Sequence, residues 1–160
     1  MSMKDYDNDK TWKFLTTAKN IAVVGISDKP DRDSYRVSRY LKENGYEIFP
    51  VNPSLTEWEG IKAYPSLLEI SKENKIDIVD IFRKPDTVIP IVNDAAKIGA
   101  RTVWFQEGVV NETAAENAKK YGMNVIEAYQ TCRTKRYTGC HVHGIVSVIS
   151  NVIKWSGRGG

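Results

Sequence analysis

The sequence predicts an α/β domain of the doubly wound kind, with a mainly parallel five-stranded sheet and helices on both faces, and three observations carry that reading. Short apolar runs alternate with amphipathic segments through roughly four rounds. The connections between runs are far too long for hairpins, as a parallel sheet requires. The first run ends in glycine just ahead of a helical segment, which is the entry to an anion-binding turn.

Each element follows from its residues. Asn20-Ile21-Ala22-Val23-Val24-Gly25-Ile26 is almost uninterrupted apolar sequence, the pattern of a strand buried on both faces. Asp33 or Ser34 is placed to cap a helix with Val37, Tyr40 and Leu41 on its apolar face and Gly45 as its stop. Residues 47–51 form the second strand. Residues 60–65 read as a connection, and Ser66 as the N-cap of a short helix carrying Leu67, Leu68 and Ile70. Residues 76–82 alternate Asp77 and Asp80 with apolar side chains, which predicts a third strand with part of one face less fully covered. Pro85 and Pro90 confine the opening of the next helix, Pro90 being tolerated only in the first turn, and Val92, Ala95, Ala96 and Ile98 run to a stop at Gly99. Residues 101–105 are strand four. Asn111 caps a helix over 112–121 that stops at Gly122, and residues 124–128 complete the sheet.

Composition bounds the function. A chain of 160 residues fills one hydrophobic core, burying roughly 70% of its unfolded surface. It is 41% hydrophobic and 27% charged, and no apolar run approaches a membrane span of about 20 residues. The first ten residues are polar, carry Asp5, Asp7 and Asp9, and lack the basic start and apolar middle of a secretory signal; the expectation is a cytoplasmic protein that touches no membrane. Cys132 and Cys140 are too few for a disulfide framework and are expected to be reduced thiols. A net charge of +3 with no massed basic face excludes nucleic acid as the expected partner.

Ligands of open α/β sheets collect beyond the carboxyl ends of the strands. The segments there are 25–34, 52–54, 83–86 and 106–108. The first leaves a strand and enters a helix, so its backbone N–H groups and the helix dipole face an anion, with the Ser27 hydroxyl and the charges of Lys29 and Arg32 beside them. The alternative is a tight turn with a solvated mixture of charges. A nicotinamide dinucleotide fits poorly. Of the three glycines of Gly-x-Gly-x-x-Gly only Gly25 is in place, and the second strand ends in Val51-Asn52-Pro53 without the acid that binds the ribose.

The ordered residues Val24-Gly25-Ile26-Ser27, Lys29-Pro30-Asp31-Arg32, Pro50-Val51-Asn52-Pro53, Tyr64-Pro65-Ser66-Leu67, Asp77 to Arg83, Val103-Trp104-Phe105-Gln106 and Gly108-Val109-Val110-Asn111 resemble a known family. They are similar to the stand-alone CoA-binding proteins of Rossmann-like fold, and to the CoA-binding domain of the succinyl-CoA synthetase alpha subunit. The resemblance covers roughly residues 17 to 132. It implies coenzyme A as cofactor, with Gly25, Ser27, Lys29, Pro30 and Arg32 around its phosphates and Asn52 and Pro53 bordering the adenosine. Phe82 and Arg83 would line the cofactor's path, and Trp104, Gln106 and Gly108 would form the far wall; plain core packing is the other reading of Phe82 and Trp104. Where the family carries Asp-Arg-Cys, this chain has Gln130-Thr131-Cys132, so no role passes from the lost charges.

The resulting division is a CoA-binding domain over 1–132, including an N-terminal helix, and a C-terminal extension over 133–160. In the extension Val142, Ile145, Val146, Ile149, Val152 and Ile153 recur at helical spacing, and the glycine-rich end frays. That apolar face is expected to meet the domain's own sheet or a second copy in a homodimer. Cys132, Cys140, His141 and His143 offer zinc-ligand types at a spacing that matches no usual site, so no metal is expected. The leading functional reading is binding of coenzyme A or an acyl-CoA at the carboxyl edge of the sheet without catalysis. The alternatives are a nucleotide-dependent enzyme, either an NAD(P) reductase or a CoA transferase or ligase component, and a regulatory interaction module.

Overall fold

A computed structural model describes residues 17–106 and 109–127. Five strands, β1 (Asn20–Val24), β2 (Glu47–Val51), β5 (Ile78–Ile81), β6 (Thr102–Phe105) and β7 (Asn124–Glu127), form one parallel sheet in the order β2-β1-β5-β6-β7. Helix α1 (Asp33–Glu43) joins β1 to β2. The chain then returns past β1 to β5 through a small antiparallel hairpin, β3 (Glu57–Trp58) and β4 (Ile61–Lys62), and a 3₁₀ turn over Leu67–Glu69. Helix α2 (Val88–Lys97) and helix α3 (Glu112–Lys120) complete the described elements.

The strands alternate their side chains between two separate cores, which explains why their sequences are mostly apolar, with polar residues at the ends of β1, β2 and β7 and with Asp80 and Thr102 as buried exceptions. Ile21, Val23, Ile48, Ile78, Trp104 and Ile126 pack with Tyr35, Val37 and Leu41 of α1 on one face. Ala22, Val24, Phe49, Val51, Val79, Ile81, Val103 and Phe105 pack with Val88, Val92 and Ala95 of α2 and with Ala114, Ala115 and Ala118 of α3 on the other. Helices therefore cover both faces. Each helix stops just before a predicted glycine, Gly45, Gly99 or Gly122. Asn111 caps α3 by accepting a hydrogen bond from the Ala114 amide at 3.0 Å.

Local readings changed where tertiary contacts took over. Helix α1 begins at Asp33 with Arg32 as its N-cap, and neither Asp33 nor Ser34 caps it; the Ser34 hydroxyl instead accepts from the Ser27 amide at 3.0 Å. Ser66 precedes a 3₁₀ turn, not an α-helix, and makes no side-chain cap. The connection over 60–65 is partly hairpin, turned by Glu59 and Gly60 at φ 48° and 77°. Strand β5 is covered on both faces: Asp80 is completely buried. Asp77 is a clip for the start of β1, accepting from the amides of Lys19 and Asn20 at 2.9 and 3.0 Å.

The predicted N-terminal helix, the extension over 133–160 with its homodimer contact, and the cluster of Cys132, Cys140, His141 and His143 lie outside the described residues. Among the described residues no helix is long and apolar enough to cross a membrane, and no cluster of metal-ligating side chains occurs.

Candidate functional site

Register builds the site. Val51, Val24, Ile81 and Phe105 pair in one row across β2, β1, β5 and β6. The residue after each, Asn52, Gly25, Phe82 and Gln106, therefore emerges at the same carboxyl edge. Strand β1 is the switch point, because its neighbours β2 and β5 lie on opposite sides and the chain departs in opposite directions.

Gly25 belongs there for a steric reason. Its φ is +87°, and a Cβ on it would sit 2.1 Å from the Phe82 carbonyl oxygen and 3.3 Å from the Arg83 Cδ. The absent side chain lets the β1 and β5 exits close on each other, tied by Phe82 N–H to Val24 O at 2.8 Å, while Gly25 N–H to Val51 O at 2.9 Å ties the β1 exit to the end of β2.

The loop after Gly25 is held by its neighbours. The Asn52 Nδ2 donates to Ile26 O at 2.8 Å, and its Oδ1 accepts from the Ser54 amide at 2.8 Å. The Trp58 indole donates to Ser27 O at 3.0 Å. The Ser27 hydroxyl accepts from the Lys29 amide at 3.1 Å, which leaves its own proton to donate. Lys29, Pro30 and Arg32 are exposed, and neither cation forms an ion pair among the described residues. Asp28, Asp31 and Asp33 are exposed beside them, so the two cations stand in a rim of mixed charge at a helix N-terminus.

On the α2 side of this edge lies a cavity of about 240 Å³ lined by Val24, Val51, Pro53, Pro65, Leu67, Arg83 and Ile91, with Ser66, Thr87 and Asp94 adding polar atoms. Arg83 is exposed at this cavity, so its charge needs no buried partner. Phe82 is half-buried and packs against the α1-side core.

The β5–β6 side differs. Trp104 is completely buried in the α1-side core, so here its ring is a packing group. Gln106 is 5% exposed, and its amide nitrogen donates to Asp80 Oδ1 at 2.6 Å. Burial pushes the Asp80 carboxyl from 3.8 to about 7, against the opposing effect of that hydrogen bond. Gly108 lies outside the described residues. The edge therefore brings together Gly25, Ser27, Asn52, Pro53, Phe82 and Arg83, flanked by Lys29, Pro30 and Arg32, while Trp104 and Gln106 are withdrawn into the protein.

Sequence reasoning missed Trp58 and the inward role of Asp80. Glu59-Gly60 between two short apolar-containing pairs was the available sign of a two-residue turn. An acid in the middle of an apolar strand was the sign of a buried hydrogen bond.

Comparison with known proteins places the chain in a family and supports its fold. A family model described as a CoA binding domain matches residues 19–132. Uncharacterized protein YneT of Bacillus subtilis is 43% identical over 114 residues, covering 71% of this chain and 83% of the relative. The solved structure of a hypothetical protein from Pyrococcus horikoshii OT3 superposes with a TM-score of 0.70 at 40% identity, over 79% of this chain and 84% of the other. An ADP-forming acetate–CoA ligase of Methanocaldococcus jannaschii is 30% identical over 132 residues, and the match spans 76% of this chain but only 18% of the ligase.

Proposed function

The chain belongs to the CoA-binding domain family, and from that premise we propose that it binds coenzyme A, free or acylated, across the carboxyl edge of its sheet. The observation that carries the reading is the level row of strand ends, which sets an anion-receiving loop, an apolar cavity and an exposed arginine side by side.

In this reading the diphosphate lies at the loop after β1, taken by the Ser27 hydroxyl, free loop amides and the charges of Lys29 and Arg32. The adenosine lies against Asn52 and Pro53 with its base in the cavity of about 240 Å³, and Arg83 at its edge supplies a planar fork of donors to phosphate. The rest of the cofactor runs past Phe82 along the β5–β6 exits, with Trp104 backing that wall from inside. A nicotinamide dinucleotide is disfavoured because the ribose-binding place holds Asn52, which lacks the carboxylate acceptor and is already bonded to Ile26 O and the Ser54 amide. The reading has the protein acting in the cytoplasm as a binding module without catalysis.

A second reading is favoured by the ligase relatives: the chain as the CoA-holding component of a larger acyl-CoA-forming enzyme, since the ligase match covers a small part of that protein. Parallel calorimetric titrations with CoA, acetyl-CoA, NAD and NADP test the first reading. Saturable binding of CoA or acetyl-CoA with silence from the dinucleotides is expected; silence from all four would overturn it.

A further inference from the structure

We propose that the β3–β4 hairpin is a clamp on the anion-receiving loop and that Trp58 is its positioning residue, an inference that rests on the CoA-binding reading above.

A trans peptide points its C=O and its N–H in opposite directions. The Ile26–Ser27 peptide displays the consequence: its carbonyl is drawn toward β2 by the Asn52 amide at 2.8 Å, and its N–H runs the other way to the Ser34 hydroxyl, in the first turn of α1, at 3.0 Å. The next peptide, Ser27–Asp28, is held in the same manner at one end. Its carbonyl accepts from the Trp58 indole at 3.0 Å. Its N–H, that of Asp28, is consequently turned away from the hairpin, and no hydrogen bond from it is made among the described residues. Trp58 thereby sets an amide donor for an incoming phosphate.

The indole is itself held from two sides. Trp58 is 1% exposed, and its ring meets the Tyr35 ring edge-on at 5.7 Å and 64°. Tyr35, in the first turn of α1, donates its hydroxyl to Glu59, the residue after Trp58. Around the tight Glu59–Gly60 turn both side chains engage Tyr35, the indole against its ring and the carboxylate on its hydroxyl. Loss of the indole N–H would leave the Ser27 carbonyl without its donor and free the peptide to rotate its oxygen toward the anion, where it would oppose binding.

The test compares the intact chain with Trp58→Phe and Tyr35→Phe by calorimetric titration with CoA, while the Asp28 amide is followed in ¹H–¹⁵N spectra. Trp58→Phe keeps an aromatic ring but no donor; an affinity loss of about tenfold is expected, with the CoA-induced shift of the Asp28 amide lost. Tyr35→Phe keeps the indole and is expected to lose about two- to threefold. A purely structural role would lower the melting temperature of Trp58→Phe yet leave the affinity of its folded form and the Asp28 shift intact, and that result would overturn the clamp. If Trp58→Phe does not fold, wild-type affinity in Tyr35→Phe overturns it instead. A wild-type chain that takes up no CoA defeats the binding reading and this inference with it.

Discussion

The two halves of the carboxyl edge are built on opposite principles. On the β1–β2 side the polar groups of the loop are assigned to one another: Asn52 holds Ile26, Trp58 holds Ser27, and Ser34 receives the Ser27 amide. On the β5–β6 side the polar groups are buried and under-satisfied. Asp80 Oδ2 and Trp104 Nε1 have no hydrogen-bond partner among the described residues, and Asp80 keeps only its link to Gln106. The first half is held in one arrangement by its own hydrogen bonds, whereas the second carries an electrostatic cost inside the core.

The steepest break in this comparison is at the seam between the halves. Gly25→Ala forces a Cβ to within 2.1 Å of the Phe82 oxygen at a backbone angle of +87°. A destabilisation of about 3 kcal/mol or more is expected, read by chemical denaturation.

Asp80 sharpens the contrast through pH. Its folded pKa of about 7 lies above its ordinary 3.8, so the folded state holds the proton more tightly than the unfolded chain does. Stability from this group is fully present below about pH 4 and is lost as pH rises through about 7. Asp80→Asn keeps an oxygen for Gln106 and removes the charge. It is expected to stabilise the protein by about 1–3 kcal/mol at pH 8 and to flatten the pH profile, with no gain at pH 4; an unchanged profile of melting temperatures would count against the account.

Arg83→Ala probes the ligand side alone. Arg83 is exposed and unpaired among the described residues, so its removal is expected to weaken CoA binding about tenfold while the ligand-free melting temperature stays put. The smallest effect belongs to Asn111. Its Oδ1 caps α3 and its Nδ2 donates to Pro85 O at 2.8 Å, joining the β5 and β6 exits. Asn111→Ala is expected to cost about 1 kcal/mol in denaturation and to leave CoA affinity near wild type.

Much of the fold was legible because of how burial works in a parallel sheet. A strand covered on both faces is largely apolar, so 20–24, 47–51 and 102–105 announced themselves, while 124–127 was marked by its place just after the helix stop at Gly122. Glycines marked helix stops and Asn111 marked a start. The hairpin escaped because two-residue strands have no period to detect. Asp80 was misjudged because an acid in a strand looks the same whether its face is open or sealed; only the layer packed on it decides.

The site divides the same way. Gly25, Ser27, Asn52, Pro53 and Arg83 could be nominated because each follows a strand end, a place that chain order and periodicity define. Gln106 satisfies that rule as well, yet it turns into the protein, as does Trp104 within β6.

By itself, then, the sequence determined which segments form the sheet, where each strand stops and which residues follow the stops, because these depend on local periodicity and on turn residues. Tertiary structure alone decided which strand-end side chains face outward, that Trp58 reaches Ser27 across 31 positions of chain, and that Asp80 pays for its place with a raised pKa. Those outcomes depend on strand order and on the elements layered above the sheet, and such contacts leave no mark in the spacing of neighbouring residues.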